Sequence, residues 1–372
     1  MKLFIDCHVF DDSYQGTTTY IKGLYNALAK LRPDWEFYFG AKDIEKVSNE
    51  FKELNNVRYI KYRSSGKFRL LLEIPRILHK HKFDFAHFQY VVPPFYKNCK
   101  YIVTIHDILF NDFPEEFSFM YRIIRNLSFY YSAKKADILA TVSSYSQEKI
   151  NKHYKVSKTN IHVIPNAVDS IFAQTFNKKE SQNYIKDKYS ITNFLLYVSR
   201  IEPRKNQELL LQAYLDLKLW QQNVSLVFIG SNTLKNSKFS EMIRNLSNEA
   251  KECIFHLKNI PFSDLVEFYR SAELFVYPSK AEGFGIPPIE AASIGIPVIC
   301  SNTTAMSDFT FLEKGFFSPS DLGQLKQKIT LSLENKLYSL KELEDIKGYV
   351  ANKYSWDKSA CKLAELIEEN CK

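Results

Sequence analysis

The chain has 372 residues, 45% hydrophobic and 25% charged, with a formal net charge of +8 at pH 7, a composition that excludes disordered and fibrous classes and suffices for two α/β domains. Six scattered cysteines without a CxxC pair exclude a disulfide framework or zinc finger, and the absence of any apolar run of about 18 residues excludes a membrane span. Residues 51–100 carry 11 Lys and Arg against 3 Asp and Glu, but no nucleic-acid-binding module accompanies them, so nucleic acid is not an expected partner.

That basic region has two readings, a surface for an anionic membrane or acceptor, and a merely solvated face. The N-terminal run MKLFIDCHVF is too short in apolar residues for a signal peptide and carries Asp6, so it reads as a buried first strand over residues 3–10. Reduced core cysteines and this N-terminus point to a cytoplasmic protein.

The turn from Asp11 to Thr18 leads into a helix with Ile21, Leu24, Leu28 and Leu31 at helical spacing, which opens a Rossmann-like unit. The segments Phe83–Gln89 and Tyr101–Asp107 read as buried strands ending in polar residues, and such strand ends face the ligand crevice of an open α/β sheet. From Glu115 to Lys135, Phe117, Tyr121, Ile124, Leu127 and Tyr131 recur every three to four residues. A core-facing helix is the favoured reading of that stripe, and a membrane-surface helix is the alternative. A strand follows from Ala136, then a Ser-capped helix at Ser143–Ser144.

Residues 170–190 read as a polar linker and lead-in helix. A second unit starts with the strand Phe194–Ser199, followed by Arg200 and Lys205 before a helix with Leu209, Leu210, Ala213 and Leu217.

The stretch Leu274–Asn302 then organises the second half. A short apolar strand, Leu274–Tyr277, runs into a Gly- and Pro-rich loop and an Ala-rich helix of about two turns, with Pro287 and Pro288 in its first turn and Gly295 and Pro297 at its stop. Glu282 lies in the loop and Glu290 one turn into the helix. A helix N-terminus beside glycines suits a phosphate, and a carboxylate next to it suits sugar or ribose hydroxyls, from which it accepts hydrogen bonds.

Glu282-Gly-Phe-Gly-Ile-Pro-Pro-Ile-Glu290 resembles the Glu-x7-Glu motif of the retaining glycosyltransferase family 4. The resemblance implies the GT-B fold, two Rossmann-like α/β domains facing across a cleft, with an N-terminal acceptor domain over 1–170, a donor domain over 171–352, and a terminal helix over 353–372 returning to the first domain. It also implies a donor site in which Glu290 binds the ribose, Glu282 binds the sugar, and Gly283, Phe284, Gly285 and Ile286 offer backbone amides. Ser199–Asn206 (SRIEPRKN) is similar to the family's segment that holds the pyrophosphate, with Ser199 where the family has Gly; Arg200 and Lys205 are then the cations that neutralise a departing nucleoside diphosphate. Ser199 admits either an ordinary φ or local strain.

Further matches follow in family order. Gly16 and Thr17 occupy the place of a glycine-rich turn, with a single glycine and with Thr at the Arg position. His106-Asp107 resembles a pair whose His reaches the donor sugar, Asp107 and Asn166 of the Val163–Asp169 segment fall to the acceptor side with Thr17, and Ile260 lies in the loop that reads the base. Ser307-Asp308 replaces the family's Pro-Glu.

The expected reaction is transfer of a hexose-type sugar from a nucleotide diphosphate sugar to an acceptor hydroxyl with retention, mannosyltransferase-like as a first guess, in bacterial-type surface polysaccharide or glycolipid assembly. The acceptor is a glycan or lipid-linked saccharide, and peripheral contact with the inner face of an anionic membrane is compatible with the basic region. No Asp-x-Asp motif is placed to hold a metal, so no metal or other cofactor is expected. The rival readings are another GT-B enzyme, such as an epimerase or phosphorylase, and a non-catalytic glycan- or nucleotide-binding subunit.

Overall fold

The computed structural model describes residues 1–11, 16–64, 66–231 and 237–371; much of the turn expected from Asp11 to Thr18 therefore lies outside the described residues. The chain divides into two compact units, one formed by Met1–Ala167 with Tyr354–Lys372 and the other by Val168–Lys353.

The first unit is built on a seven-stranded sheet of β1 (Lys2–Asp6), β2 (Glu36–Ala41), β3 (Val57–Lys61), β4 (Phe85–Gln89), β5 (Lys100–Thr104), β6 (Ile138–Thr141) and β7 (Ile161–Val163). Their order is β3-β2-β1-β4-β5-β6-β7, and every pairing is parallel. β1, β4 and β5 are buried along nearly their whole length because a parallel sheet is covered on both faces. The first strand ends at Asp6 rather than continuing to residue 10, and a 3₁₀ turn, His8–Phe10, follows. Asp6 is the reason: its buried carboxylate accepts from Tyr62 Oη at 2.9 Å and pairs with Arg69 at 3.4 Å and His8 at 3.1 Å, which ends strand pairing there.

Helix Gly16–Leu31 buries Ile21, Leu24 and Leu28, whereas Leu31 at its end is exposed. Its Gly23 lies under the C-terminal helix Trp356–Cys371: a Cβ on Gly23 would come within 2.0 Å of the Trp356 indole. The returning helix is fixed further by Ser359, whose hydroxyl donates to the Pro165 carbonyl at 2.9 Å.

The core-facing reading of the 115–135 stripe is overturned. Helix Phe119–Lys135, capped by Ser118, buries Phe129, Ser132 and Ala133, while Tyr121, Ile124 and Leu127 of the expected stripe are exposed, Ile124 to 55% and Leu127 to 66%. Phe119, Met120, Ile123 and Tyr130 are exposed as well. The inward face is set by polar anchors: Asn126 exchanges hydrogen bonds with Asn111 at 2.8 and 2.9 Å, and Ser132 accepts from the Val92 amide at 3.1 Å. Periodicity fixes that a helix has an apolar face but not which way the face points.

The second unit carries a six-stranded parallel sheet of β8 (Phe194–Val198), β9 (Ser225–Ile229), β10 (Ile254–Leu257), β11 (Leu274–Tyr277), β12 (Val298–Ser301) and β13 (Phe316–Phe317), ordered β10-β9-β8-β11-β12-β13. The lead-in helix is Lys178–Tyr189, and the Ala-rich helix is Ile286–Ile294. Ser199 is absent from the positive-φ residues, so it stands in for glycine without left-handed strain; the demanding position is Gly230, at φ +148, where a Cβ would meet the Ser199 carbonyl oxygen at 2.0 Å. No helix among the described residues is long and apolar enough to cross a membrane.

Candidate active site

In the second unit the strand order reverses between β8 and β11, and the crevice outside the C-terminal ends of such strands is where open α/β sheets bind ligands. Both motif loops leave from there. The loop after β8 carries Arg200, Glu202, Arg204 and Lys205, and the loop after β11 carries Glu282 and leads to Glu290.

Across these loops Glu282 and Lys205 form a buried pair: Lys205 Nζ donates to Glu282 Oε1 at 2.6 Å and to Tyr277 Oη at 3.2 Å, and Tyr277 Oη donates to the same carboxylate oxygen at 2.8 Å. Burial alone would raise the Glu282 pKa, but Lys205 and Arg204 outweigh it and hold the carboxyl at about 2. Burial lowers the Lys205 pKa against the pull of Glu282; with a carboxylate at 2.6 Å, the charged pair is the form we assign. An ammonium has three donors. Two of those on Lys205 are engaged among the described residues, which leaves one N–H for a ligand oxygen.

Arg204, which sequence reasoning passed over, completes the cluster. Its guanidinium donates to the Ala281 carbonyl and lies 3.8 Å from Glu282 and 3.5 Å from Glu202. Arg200 pairs with Glu202 at 3.2 Å, yet its side chain stays 41% exposed, so it is the cation of this set best placed to meet a bound anion. Three cations face two carboxylates, and the excess is positive. Thr304, also missed, accepts from the Glu282 amide at 2.9 Å while held at φ +50, a costly conformation for a β-branched residue.

Helix Ile286–Ile294 begins at Gly285, whose φ of +100 only glycine adopts cheaply; a Cβ there would also press on Met306 at 3.2 Å and Phe309 at 3.3 Å. Pro287 and Pro288 have no amide hydrogen, so of the first four helical residues only Ile286 and Ile289 can donate. Phe284 is buried edge-on against Phe309, with ring centroids 5.5 Å apart, which leaves its backbone as the part able to serve a ligand. Glu290 Oε2 accepts from Tyr269 Oη at 2.8 Å, and burial, aided by Asp169 and opposed by that hydrogen bond, raises its pKa to about 7. Ile260 is partly buried beyond the end of β10, next to Asn259 at φ +53.

The remaining candidates belong to the first unit, at the C-terminal side of its sheet, where the order reverses between β1 and β4. Gly16 starts the first helix, and Thr17 hydrogen-bonds Tyr90. His106 is buried beyond β5; its Nε2 lies 2.8 Å from Gln89 Oε1, and Tyr20 and Tyr90 enclose the ring at 4.9 and 5.2 Å between centroids. Asp107 accepts from the Leu109 amide at 3.2 Å, so Gln89 rather than Asp107 is the partner of the His106 Nε2. Asn166 is buried, with its Oδ1 unpartnered among the described residues.

The Lys205–Glu282 pair makes a direct prediction. Lys205→Met takes from the buried Glu282 carboxylate its closest cation, leaving only Arg204 at 3.8 Å, and lowers stability to denaturant by about 3–5 kcal/mol; adding Glu282→Gln recovers much of that loss. Additive losses in the double variant would contradict the coupling. Because the Glu282 pKa is depressed, this contribution is present above the unfolded pKa and disappears only as pH falls towards about 2.

Comparison with known proteins identifies the family and the fold. The family model described as "Glycosyl transferases group 1" matches residues 178–353, and that described as "Glycosyltransferase Family 4" matches residues 14–171. The O-antigen chain mannosyltransferase B of Escherichia coli is 26% identical over 346 residues, which cover 89% of this chain and 89% of that protein. The O-antigen chain mannosyltransferase RfbU of Salmonella typhimurium is 29% identical over 219 residues, 59% of this chain and 57% of that protein. Among solved structures, Anabaena Alr3699/HepE in complex with UDP-glucose superimposes with a TM-score of 0.78 at 15% identity, covering 99% of this chain and 100% of that one, a likeness of fold. With two parallel Rossmann-like sheets and both halves matched, the chain belongs to glycosyltransferase family 4, with the GT-B fold.

Proposed function

We propose that this glycosyltransferase moves a hexose from a nucleotide diphosphate sugar to an acceptor hydroxyl with retention at the anomeric carbon, in the assembly of a surface polysaccharide or glycolipid. The observation that carries this reading is the grouping at the β8/β11 switch point, with Arg200 exposed beside the buried Lys205 and Glu290 one turn into a glycine-started helix. Mannose is the sugar favoured, since two relatives are named as O-antigen mannosyltransferases; the complex of a structural neighbour with UDP-glucose supports a nucleotide-sugar donor.

In this reading Glu290 accepts from the ribose hydroxyls, and Arg200, the remaining N–H of Lys205 and the amides at the start of helix Ile286–Ile294 meet the pyrophosphate. Glu282 contributes mainly by holding Lys205, and any sugar contact it makes uses its second oxygen. The C1–phosphate oxygen bond breaks, the acceptor oxygen bonds to C1 on the same face, and the acceptor proton passes to the leaving diphosphate. Negative charge growing on that diphosphate is met by fixed cations, so the step is proposed to need no metal. His106, Asp107, Thr17, Gly16 and Asn166 are assigned to the sugar and acceptor side.

The pKa of Glu290 provides the test. Ribose hydroxyls donate to the ionised carboxylate, so protonation competes with binding. Affinity for a nucleotide sugar, whose diphosphate diester does not titrate near neutrality, falls up to tenfold per pH unit below about 7. Glu290→Gln binds weakly at pH 8 and loses the pH dependence in calorimetric titration. Wild-type affinity in Glu290→Gln, with the same pH profile, would sink the ribose assignment.

We also propose that the first unit docks on anionic membrane. Support comes from the outward apolar ridge of helix Phe119–Lys135 and from a second exposed apolar group, Phe68, Leu71 and Leu72. Phe68 and Leu72 of that group line a cavity of about 340 Å³ together with Arg63, Arg76 and Lys80 and the single acidic Glu73. Both segments cover the same sheet face, because Ile74 and Leu78 share one buried cluster with Phe129 and Ala133. Buried apolar side chains contribute about 1.5–3 kcal/mol each and basic residues near the surface about 1 kcal/mol each. Co-sedimentation with phosphatidylglycerol vesicles is expected to be strong at low salt, partly retained at high salt, and reduced by Leu127→Glu. Equal sedimentation of Leu127→Glu, or no sedimentation of the wild type, contradicts the docking.

A further inference from the structure

Behind His106 lies a chain of buried polar side chains that the motif does not include. Tyr25 Oη is 2.6 Å from His87 Nδ1, and His87 Nε2 is 2.8 Å from Thr104 Oγ1 and 3.3 Å from Gln89 Nε2. Gln89 Oε1 is 2.8 Å from His106 Nε2. All these residues are at most 6% exposed.

The direction of each bond follows from what the groups can do. An amide nitrogen only donates, so the contact of Gln89 Nε2 with His87 Nε2 requires a lone pair there. His87 then carries its hydrogen on Nδ1 and gives it to Tyr25 Oη, and the one lone pair of its Nε2 is shared between the Thr104 hydroxyl at 2.8 Å and the longer Gln89 contact. The amide oxygen of Gln89 only accepts, so His106 must carry its hydrogen on Nε2. Burial keeps both imidazoles neutral, with pKa values of about 3. A neutral ring with its hydrogen on Nε2 has a bare Nδ1, and no described residue bonds to it.

We infer that Gln89 is a positioning residue that fixes His106 in the Nε2–H tautomer and presents its Nδ1 as a hydrogen-bond acceptor for a substrate hydroxyl. This rests on the reading of His106 as a substrate-facing group. A His held this way can receive a hydrogen bond from a sugar or acceptor hydroxyl but cannot donate a proton to a leaving group from Nδ1. Tyr20, edge-on to the ring, and Tyr90 block rotation, so the tautomer decides what the substrate meets.

Two-bond ¹⁵N–¹H NMR spectra of the full chain with labelled histidine report the tautomer without any need for activity. The wild type is expected to show His106 protonated on Nε2 alone. Gln89→Leu removes the acceptor and is expected to give a mixture of tautomers, with kcat falling about 10–100-fold, a range borrowed from outer-shell partners of metal-bound histidine, and little change in donor KM. Gln89→Glu keeps an acceptor for Nε2–H and so preserves the tautomer, and its added negative charge raises the His106 pKa; circular dichroism checks that both variants fold. A wild-type spectrum with the hydrogen on Nδ1, or a Gln89→Leu spectrum unchanged from wild type, overturns the inference. Absence of glycosyl transfer by the wild type, with the expected spectra, overturns the functional reading alone.

Discussion

A carboxylate and an ammonium held 2.6 Å apart, Glu282 and Lys205, tie together the two loops that leave the sheet of the second unit at its switch point. Each charge would be costly to bury alone, and together with Tyr277 they satisfy one another. The loop after β8 is thereby pinned to the loop after β11. Arg204 adds a second tie through the Ala281 carbonyl, and Thr304 holds the Glu282 amide from a third segment. The exposed guanidinium of Arg200 and the start of helix Ile286–Ile294 keep a fixed relation because these ties are internal. Preorganised cations of this kind stabilise developing charge without reorganising during the reaction.

Much of this was legible in the sequence. Apolar runs ending in polar residues located the central strands, the Pro and Gly pattern placed the first turn and the stop of the helix after Glu282, and the Glu-x7-Glu resemblance pointed to the family the comparisons show. What sequence could not give was pairing. Spacing treats Glu282 and Lys205 as separate ligands, since nothing in a linear pattern says that residues 77 apart bond to each other. Arg204 stood beside Lys205 and could have been raised as a third cation. Thr304 could not, because a β-branched residue is the wrong signal for a left-handed φ. Gln89 was visible as the polar end of a strand, but its role appears only when β4 and β5 are side by side.

Helix Phe119–Lys135 shows the same limit from the other side. Its inward face is a narrow mixed one, Phe129 and Ala133 with the polar anchors Asn126 and Ser132, while Tyr121, Ile124 and Leu127 face out. Core packing and a lipid surface reward the same spacing, and only the fold distinguishes them. Exposed apolar ridges of this extent usually mark an interaction site, which is why the proposed membrane contact rests more on Ile124 and Leu127 than on the basic surplus of residues 51–100.

The central claim is that the β8/β11 loops form one nucleotide-sugar site, with the ribose on Glu290 and the diphosphate beside Arg200 and Lys205. A crystal structure with a bound nucleoside diphosphate sugar tests it most directly. The account predicts ribose hydroxyls within hydrogen-bond distance of the Glu290 carboxylate, a phosphate oxygen on the third N–H of Lys205, and the Lys205–Glu282 pair intact. A nucleotide bound with its ribose away from Glu290, or its diphosphate away from both Arg200 and Lys205, would contradict it.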